Sequence, residues 1–130
     1  MVDFETRLAI GDLVTRFQYC LDRGGMPAEL LHPDAVISGP AGEVCGRDAI
    51  LERSAPAAGN VVRHCWSNMS LSTTADGVVV ARYIATAWHG DTMHNLTRMT
   101  LGDVEDHFVR DADRWLLKRS RFERIFLAEY

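Results

Sequence analysis

The feature of this sequence that most constrains its fold is a change of hydrophobic period near residue 61. Before this point apolar residues recur at helical spacing, and after it they alternate with polar residues, as in strands with one buried face. Four long alternating runs follow one another, at residues 61–73, 78–88, 92–110 and 115–125. Turn-forming residues separate them at 75–77, 89–91 and 111–114. The second half of the chain is therefore predicted to be a meander of long antiparallel strands, with a bulge at Gly102-Asp103 in the third strand.

The first half of the chain is predicted to contain three helices and a hairpin. The main helix covers residues 8–22, and the glycines at 24 and 25 end it. Its apolar residues share one face, as in a helix packed on a core; they are Ile10, Leu13, Val14, Phe17 and Leu21. A short helix at 26–31, stopped by His32-Pro33-Asp34, precedes hairpin strands at 35–38 and 43–46. A third helix covers 47–53 and is closed by Pro56 and Gly59.

Helices followed by long strands are typical of an α+β domain. A chain of 130 residues, 47% of them apolar, is long enough for one domain with a sizeable core. We therefore expect a single domain over residues 1–130, in which helices pack on one face of a strongly curved sheet. Such a sheet can leave a pocket beside the first helix, where a small ligand would bind.

Composition excludes several classes of partner. The net charge of −4 offers no basic excess for neutralising phosphates, so no nucleic acid partner is expected. No apolar run approaches the roughly 20 residues that span a bilayer, and the N-terminus lacks the basic-then-apolar order of a signal peptide. We therefore expect a cytoplasmic protein without a membrane partner. Its cysteines, Cys20, Cys45 and Cys65, are expected to be reduced and mostly buried.

The first long strand carries the residues best suited to chemistry. By alternation, one face presents Val62, His64, Trp66 and Asn68. An imidazole, an indole and an amide each combine a polar tip with a flat or apolar body, which suits the lining of a pocket. Burying such groups without partners would cost about 1–3 kcal/mol each, so the pocket must offer them a partner or a ligand. The alternatives are a surface face, or a core histidine bonded to a backbone carbonyl.

A chemical role for His64 needs a partner, and Asp22 at the end of the main helix is the candidate. A carboxylate there faces the negative end of the helix dipole, which is unfavourable for stability and indicates another role. Neutral imidazole is well matched to accepting a proton near neutral pH, and a carboxylate on its far nitrogen fixes the tautomer. The alternative for Asp22 is a solvated acid in the last turn of the helix.

Other polar residues have weaker claims to a site. No standard zinc pattern matches the spacing of the candidate metal ligands, which are His89, Asp91, His94 and His107. The first three are interpreted as an exposed turn. A solvated strand face is predicted for Asp103, Glu105, Asp106 and Arg110. One anion-binding residue could come from the late basic run, which comprises Lys118, Arg119, Arg121 and Arg124. Phe108 and Trp115 are predicted to be core residues.

Several stretches together resemble a known family over nearly the whole chain. They are, in order, Ala9-Ile10-Gly11-Asp12-Leu13, Tyr19-Cys20-Leu21-Asp22, Leu31-His32-Pro33-Asp34-Ala35, Cys45-Gly46-Arg47-Asp48-Ala49-Ile50, Arg63-His64 with Asn68, and Phe108-Val109-Arg110-Asp111 before Arg114-Trp115. Each stretch is loose alone, but their order and spacing are fairly specific. The chain resembles the SnoaL-like branch of the nuclear-transport-factor-2-like superfamily, and within it scytalone dehydratase and the hexachlorocyclohexane dehydrochlorinases. The resemblance implies a cone-shaped α+β barrel, in which a curved antiparallel sheet is closed by N-terminal helices around a deep apolar pocket.

The resemblance also implies a mechanism. The related enzymes use an aspartate at the end of the first helix and a histidine on the first long strand, and the matching residues here are Asp22 and His64. In that family the histidine takes a proton from carbon, and water or chloride leaves without any metal or organic cofactor. Asn68 matches a position near that pocket. The full set of expected substrate-binding residues is Tyr19, Trp66, Asn68, Tyr83 and Arg119.

Three departures from the related enzymes affect the leaving group. A lysine of the dehydrochlorinases, about one turn before the aspartate, corresponds to Phe17. Their late arginine corresponds to Ser120, or with one gap to the arginine on either side. The tyrosine immediately before the dehydratase aspartate corresponds to Leu21, with Tyr19 as a substitute. The substrate therefore stays open, and cyclisation, as in polyketide cyclases of this branch, is included.

We predict a cofactor-independent lyase or isomerase acting on a hydrophobic cyclic small molecule, with His64 as general base and Asp22 as its orienting partner. A ligand-binding module without chemistry would need the same pocket. An interaction protein would use the outer face of the sheet and would fill the cavity with side chains such as Trp66 and Trp88. Because relatives in this branch are dimers or trimers, we also expect a homo-oligomer, and we expect no metal site.

Overall fold

The structure, a computed structural model, describes residues 1–54 and 58–130. In chain order its elements are α1 (Phe4–Arg23), a 3-10 helix (Ala28–Leu30), β1 (Leu31–Gly39), β2 (Gly42–Cys45), α2 (Arg47–Arg53), β3 (Asn60–Thr73), β4 (Val79–Asp91), β5 (Leu96–Asp111) and β6 (Arg114–Glu129). Helices before a long-stranded sheet confirm the predicted α+β class. In the part of the chain that is described, no helix carries an apolar stretch long enough to cross a bilayer.

The strands form one open, mixed sheet in the order β2-β1-β6-β5-β4-β3. The strands from β3 to β6 pair antiparallel with their neighbours in the chain, as predicted for the meander. The early hairpin is present too, but its strand β1 joins β6 in parallel. The expectation of a wholly antiparallel sheet is corrected at this one pairing, which joins the early hairpin to the last strand. Since β2 and β3 are left as edges, the cone stays open and does not close into a barrel.

The core lies between α1 and the inner face of the sheet. The predicted apolar face of the helix is buried at Ile10, Leu13, Val14 and Phe17. The sheet contributes the buried residues Leu31, Val79, Ala81, Tyr83, Val104, Phe108 and Leu117, and Trp115 packs against them. Burying one large apolar side chain contributes roughly 1.5–3 kcal/mol. This layer therefore fixes the position of α1, whose last turn forms part of the site.

Helix α1 begins at Phe4 rather than at residue 8. Asp3 caps it, because its side chain accepts a hydrogen bond of 2.8 Å from the backbone N–H of Thr6. The hydrophobic pattern misses this first turn because Phe4 and Leu8 are exposed and add nothing to the buried face.

The segment His32-Pro33-Asp34 was predicted to stop a short helix. It lies instead inside β1. The short helix predicted before it is reduced to the 3-10 helix Ala28–Leu30. The pairing of β1 with β6 shifts between Leu31 and Val36. A proline is tolerated at such an irregularity because no regular ladder hydrogen bond is required of it.

The predicted turn His89-Gly90-Asp91 is in fact the end of β4. The chain reverses after it, and Asp91 holds the turn by accepting hydrogen bonds of 2.9 Å from the backbone N–H groups of Met93 and Asn95. The last strand also runs further than predicted, to Glu129. Helix α2 has its predicted bounds, while Pro56, predicted to close it, lies outside the described residues.

An irregularity is present at Gly102, but the bulged strand is β6 rather than the predicted third long strand, which is β5. Leu101 pairs with Phe126 and Gly102 pairs with Arg124, so Ile125 is the extra residue on β6.

A second bulge, in β3, was not predicted. Ser67 pairs with Ile84 and Ser70 pairs with Arg82, so two residues of β3 face a single residue of β4. The first of the two is Asn68, whose φ is 58°.

The cysteines are free, but Cys45 and Cys65 are exposed, so the expected burial is wrong for both. Cys65 lies on the outer side of β3 by alternation, and Cys45 ends the short edge strand β2.

Candidate active site

A cavity of about 280 Å³ lies between the end of α1 and the inner face of strands β3 to β6. Its lining is mostly apolar, and the polar residues in it are Gln18, His64, Tyr83, Thr86, His89, Thr100, Asp106 and Ser120. Neither Trp66 nor Trp88 fills it, as an interaction protein would require, and Trp88 is 43% exposed. An apolar cavity with a few polar groups is the usual form of a small-molecule site.

Asp22 and His64 meet at the wall of this cavity. The Nδ1 atom of His64 lies 2.6 Å from Oδ1 of Asp22. The backbone N–H of His64 donates to both carboxylate oxygens, at 3.1 and 3.2 Å. The Asp22 side chain is 5% exposed, whereas the His64 ring is 24% exposed and lines the cavity. The carboxylate is therefore removed from solvent and held by one residue through both its backbone and its ring.

The end of α1 explains how Asp22 reaches β3. The backbone N–H groups of Gly24 and Gly25 both donate to the carbonyl oxygen of Cys20, which ends the helix directly after the acid. Donors from His64 then offset the unfavourable position of a carboxylate at a helix C-terminus.

The contact defines what the imidazole can do. In neutral His64, Nδ1–H donates to Asp22, so Nε2 is left without a proton and can accept one. The carboxylate also stabilises the imidazolium that forms. The pair therefore has the arrangement of a general base with an orienting acid.

Of the expected substrate-binding residues, Tyr83 lines the cavity, whereas Tyr19 and Trp66 do not. The Trp66 indole N–H donates to a threonine hydroxyl of α1 at 2.9 Å, and its ring meets Tyr83 edge-on with centroids 6.2 Å apart. Tyr19 is exposed. Both border a shallow groove that is also lined by Asp22 and His64.

Asn68 lies outside the cavity, contrary to the sequence prediction. It is exposed and borders a groove on the outer face of the sheet, with Arg82 and Arg121. The β3 bulge is the cause, because an extra residue reverses the alternation of side chains beyond it. Asn68 therefore does not share the face of His64.

Arg119 also lies outside the cavity. It is half exposed and lies 3.8 Å from Glu43. The pairing of β6 shifts so that Phe108 faces Leu117 and the residue before Phe108 faces Arg119. This irregularity directs Ser120, rather than a member of the basic run, into the cavity.

His89, interpreted from the sequence as an exposed turn residue, lines the cavity. Its alternation with Tyr83 and Ala87 could have placed it on the inner face. Its Nδ1 atom is buried and has no hydrogen-bond partner among the described residues. Partial burial, followed by the charges of Arg98 and His64, holds the pKa of His89 below its usual value, so the ring is neutral near pH 7.

Asp106, predicted to lie on a solvated face, is 4% exposed and lines the cavity. Its alternation with Val104 and Phe108, both buried, indicates the inner face, but the neighbouring acids obscure that pattern. The Tyr83 hydroxyl donates to Oδ2 of Asp106 at 2.6 Å, whereas Oδ1 has the Ser120 hydroxyl nearby but makes no hydrogen bond of normal geometry in the described ranges. Burial raises the pKa of Asp106 to about 6, although the nearby hydroxyls of Ser120 and Tyr83 act in the opposite direction.

Within residues 1–54 and 58–130, no three His, Cys, Asp or Glu side chains converge in a way that could hold a metal ion. The candidate ligands have separate surroundings. Asp91 holds the turn after β4, and His107 reaches Glu105 on the outer face at 3.3 Å.

Solved structures of other proteins share this fold. A protein from Novosphingobium aromaticivorans, provisionally assigned as a scytalone dehydratase, has a TM-score of 0.84 at 22% identity, covering 95% of this chain and 87% of its own. A type 2 hexachlorocyclohexane dehydrochlorinase, LinA, has a TM-score of 0.83 at 15% identity, with coverages of 97% and 89%. A protein of unknown function with a cystatin-like fold, from Nostoc punctiforme, has a TM-score of 0.75 at 20% identity, with coverages of 95% and 94%. At these identities the similarity shows the fold alone.

The sequence comparison is more specific about the family. No curated protein matches the chain. The family of SnoaL-like domains matches residues 2–121, a range that contains Asp22, His64 and the whole inner face of β3 to β5. The chain therefore belongs to the SnoaL-like domain family, as its sequence resemblance predicted.

Proposed function

We propose that this protein is a cofactor-independent lyase or isomerase that removes a proton from a carbon atom of a hydrophobic cyclic small molecule. His64 is the general base, and Asp22 orients its ring. Dehydration, dehydrohalogenation, isomerisation and cyclisation can all begin with this step.

The observation that carries the proposal is the 2.6 Å contact between Asp22 and His64 at the cavity wall. A histidine beside an acid is not sufficient evidence, because the outer face has such a pair too, with 3.3 Å between His107 and Glu105. The difference is access to the cavity. His64 lines it and can reach a bound molecule, whereas His107 cannot.

The chemistry needs no electron donor or acceptor. In an elimination, Nε2 of His64 accepts the proton, the C–H electron pair forms the new double bond, and the leaving group departs from the adjacent carbon with its bonding pair. A departing hydroxyl takes up the proton and leaves as water. In an isomerisation, the imidazolium returns the proton to a different carbon. Proton transfer by a positioned side chain contributes typically about 10²–10⁴-fold to a rate.

The structural neighbours support the reaction type. Two of them are named for a dehydratase and a dehydrochlorinase, and both names describe elimination from carbon. The cavity supports the substrate class, because its walls are mostly apolar and its volume of about 280 Å³ suits a compact ring system.

The proton-transfer step is tested by deuterium incorporation at carbon. The protein in D₂O is incubated with scytalone, hexachlorocyclohexane and 1-tetralone, and NMR follows exchange together with loss of water or chloride. We expect His64→Gln to lower the rate about 10³-fold, since the proton acceptor is lost. Asp22→Asn is expected to lower it by about 10²-fold, the lower end of what a positioned proton acceptor contributes, since the ring is kept but loses its orienting acid.

His107→Gln is the matched control, because it removes a histidine beside an acid from the outer face. Its rate is expected to stay within about twofold of wild type. Equal rates for wild type and His64→Gln would refute the base role. Binding of these compounds without exchange, and with affinity unchanged in Asp22→Asn, would favour the ligand-binding module instead.

A further inference from the structure

A groove of about 420 Å³ lies between the end of α1 and β3, next to the cavity. Gln18 and His64 belong to the linings of both the groove and the cavity. Tyr19 and Trp66, which were expected from the sequence to bind substrate, lie outside the cavity but line this groove. The proton transfer assigned to His64 uses only the cavity. The groove is therefore a second space beside the base, with no part in that step.

The exposed charges of the groove are both positive. Arg23 and Arg63 line it, and in the described ranges neither forms an ion pair with a carboxylate. The one acid of the described lining is Asp22, whose side chain is 5% exposed and is held by His64. The protein as a whole has a net charge of −4. A groove with two unneutralised guanidinium groups is suited to an anion.

Arg63 is held by two backbone carbonyls. Its Nη1 atom donates to the carbonyl oxygen of Val62 at 2.8 Å and to that of Asp22 at 3.5 Å. Carbonyl oxygens orient the guanidinium but do not cancel its charge. Among the described residues only Nη1 has acceptors, so the other nitrogens of the fork are available to a ligand.

Arg23 is held by the aromatic ring of Tyr19. Its Cζ atom lies 3.9 Å from the ring centroid, and its Nη1 atom donates to the Tyr19 carbonyl oxygen at 3.4 Å. Stacking of one face leaves the edge of the guanidinium free, and this edge is the part that binds a carboxylate or a phosphate. Both arginines are therefore oriented before a ligand binds, which lowers the entropic cost of binding.

The C-terminal end of α1 opposes an anion less than a bare helix end would. Unpaired carbonyls at such an end carry partial negative charge. Here the carbonyl oxygen of Cys20 accepts hydrogen bonds from the backbone N–H groups of Gly24 and Gly25. The carbonyls of Tyr19 and Asp22 accept from the two arginines. Donors therefore cover three of the last carbonyls of the helix.

We propose that the groove binds an anionic arm of the substrate, a carboxylate or a phosphate, through Arg23 and Arg63, while the ring of the same molecule occupies the cavity. Since Gln18 and His64 line both spaces, the arm leaves the cavity beside the base. Anchoring the arm restricts how the ring can lie against Nε2 of His64, which favours a reactive orientation. The inference rests on the proposed function, and it narrows the substrate to a cyclic compound with a negatively charged substituent.

The test compares 1-tetralone-2-acetic acid with its methyl ester, which has the same ring and arm without the charge. Calorimetry at about pH 7 gives the Kd of each. We expect the acid to bind about tenfold more tightly, because each partly solvated ion pair contributes at most about fivefold. Raising the salt concentration is expected to reduce this preference. The phosphate ester of 2-(2-hydroxyethyl)-1-tetralone, measured alongside, shows which of the two anions binds more tightly.

Substitutions separate charge from structure. Arg23→Gln and Arg63→Gln are each expected to lower the preference for the acid to about threefold or less, with the Kd of the ester within about twofold of wild type. Arg63→Lys keeps the charge and is expected to keep most of the preference. Arg82→Gln is the matched control, because it removes the same charge from the outer face. Its preference is expected to equal that of wild type.

NMR of side chains shows where the arm binds. The Nε–H resonances of Arg23 and Arg63 are expected to shift with the acid and not with the ester. The methyl resonances of Val14 and Val104, which line the cavity, are expected to shift with both compounds. A merely structural role for the two arginines predicts no shift of their resonances when the acid is added.

Several outcomes would overturn the proposal. They are equal affinity for acid and ester in wild type, a preference that survives combined Arg23→Gln and Arg63→Gln, and arginine shifts without methyl shifts, which would mean that arm and ring do not bind together. If Arg63→Gln does not fold, Arg23→Gln, Arg63→Lys and the salt titration decide. Deuterium exchange at carbon is measured on the same samples. Retained preference without exchange would refute only the function proposed for His64, and exchange without preference would refute only the anionic arm.

Discussion

Glu105 and Asp106 are consecutive acids on β5 with opposite surroundings. Glu105 lies on the outer face, with Arg82, His107 and Arg121 at 3.1–3.4 Å and its side chain 25% exposed. The hydrogen bond from His107, together with the two arginines, lowers the pKa of Glu105. Asp106 lies on the inner face, where it accepts a hydrogen bond from the Tyr83 hydroxyl, and burial raises its pKa to about 6.

The difference shows that a single step along a strand can completely change the surroundings of a carboxyl group. Successive side chains leave a strand on opposite faces, so one step moves a carboxyl group from an ion-pair network in solvent to an apolar cavity. On the outer face the charge is favourable, because His107 and two arginines lie beside it. On the inner face it costs stability, and a strongly perturbed acid in a cleft is typical of functional sites.

The largest expected effect is on the pH dependence of stability in Asp106→Asn. The pKa of Asp106 is about 6 when folded against 3.8 as its ordinary value, so the folded state keeps a proton that the unfolded state has lost. Stability is therefore lost as pH rises between these values, by about 3 kcal/mol in total. Urea unfolding should show Asp106→Asn gaining about that much relative to wild type between about pH 4 and pH 8. Parallel pH curves for the two proteins would contradict the contrast between the faces.

A smaller effect on the free energy of unfolding is expected from alanine substitutions at Gly102, on the inner face, and Asp103, on the outer face. A Cβ at Gly102 would meet the carbonyl oxygen of Glu123 and the ring of Phe122, which lines the cavity. Gly102→Ala is therefore expected to lower the free energy of unfolding by about 1–3 kcal/mol. Asp103→Ala, exposed on the outer face, is expected to change it by less than about 0.5 kcal/mol. Similar losses for both variants in urea unfolding would show that the inner face is not the more tightly packed one.

The smallest effect is expected for Glu105→Gln. The lowered pKa of Glu105 means that its ion pairs stabilise the fold above its unfolded pKa and are lost as pH falls through the folded value. Because the pairs are partly solvated, the loss in Glu105→Gln at neutral pH is expected to be under about 1 kcal/mol. Salt should reduce it further. A loss that persists in acid would come from packing rather than from charge.

Much of the fold follows from local sequence. The alternating runs predicted the four long strands. The observed bounds of α2 also match the predicted ones, because a short helix is determined mainly by neighbouring residues in the chain. The parallel pairing of β1 with β6 joins residues such as Val36 and Arg119, which are far apart in the chain. No local pattern encodes that pairing, and it is what turns the predicted meander into a mixed sheet.

The candidate site was predictable only where local sequence identifies its residues. Asp22 and His64 stand out by residue type at the end of a helix and on a strand, and the structure brings them together. Asn68 was misplaced because the bulge at it carries no glycine to mark it. Asp106 was missed because three acids in four positions look solvated, although the alternation with Val104 and Phe108 was readable.

The bulge at Asn68 also has a consequence for how the protein behaves among other molecules. Strand β3 is an edge of the sheet, and a long edge strand exposes a row of N–H and C=O groups that can template a foreign strand. The interruption at Asn68 breaks this row near its middle, so an incoming strand could follow only part of it. The bulge therefore limits the length of edge on the His64 strand that another strand could pair with.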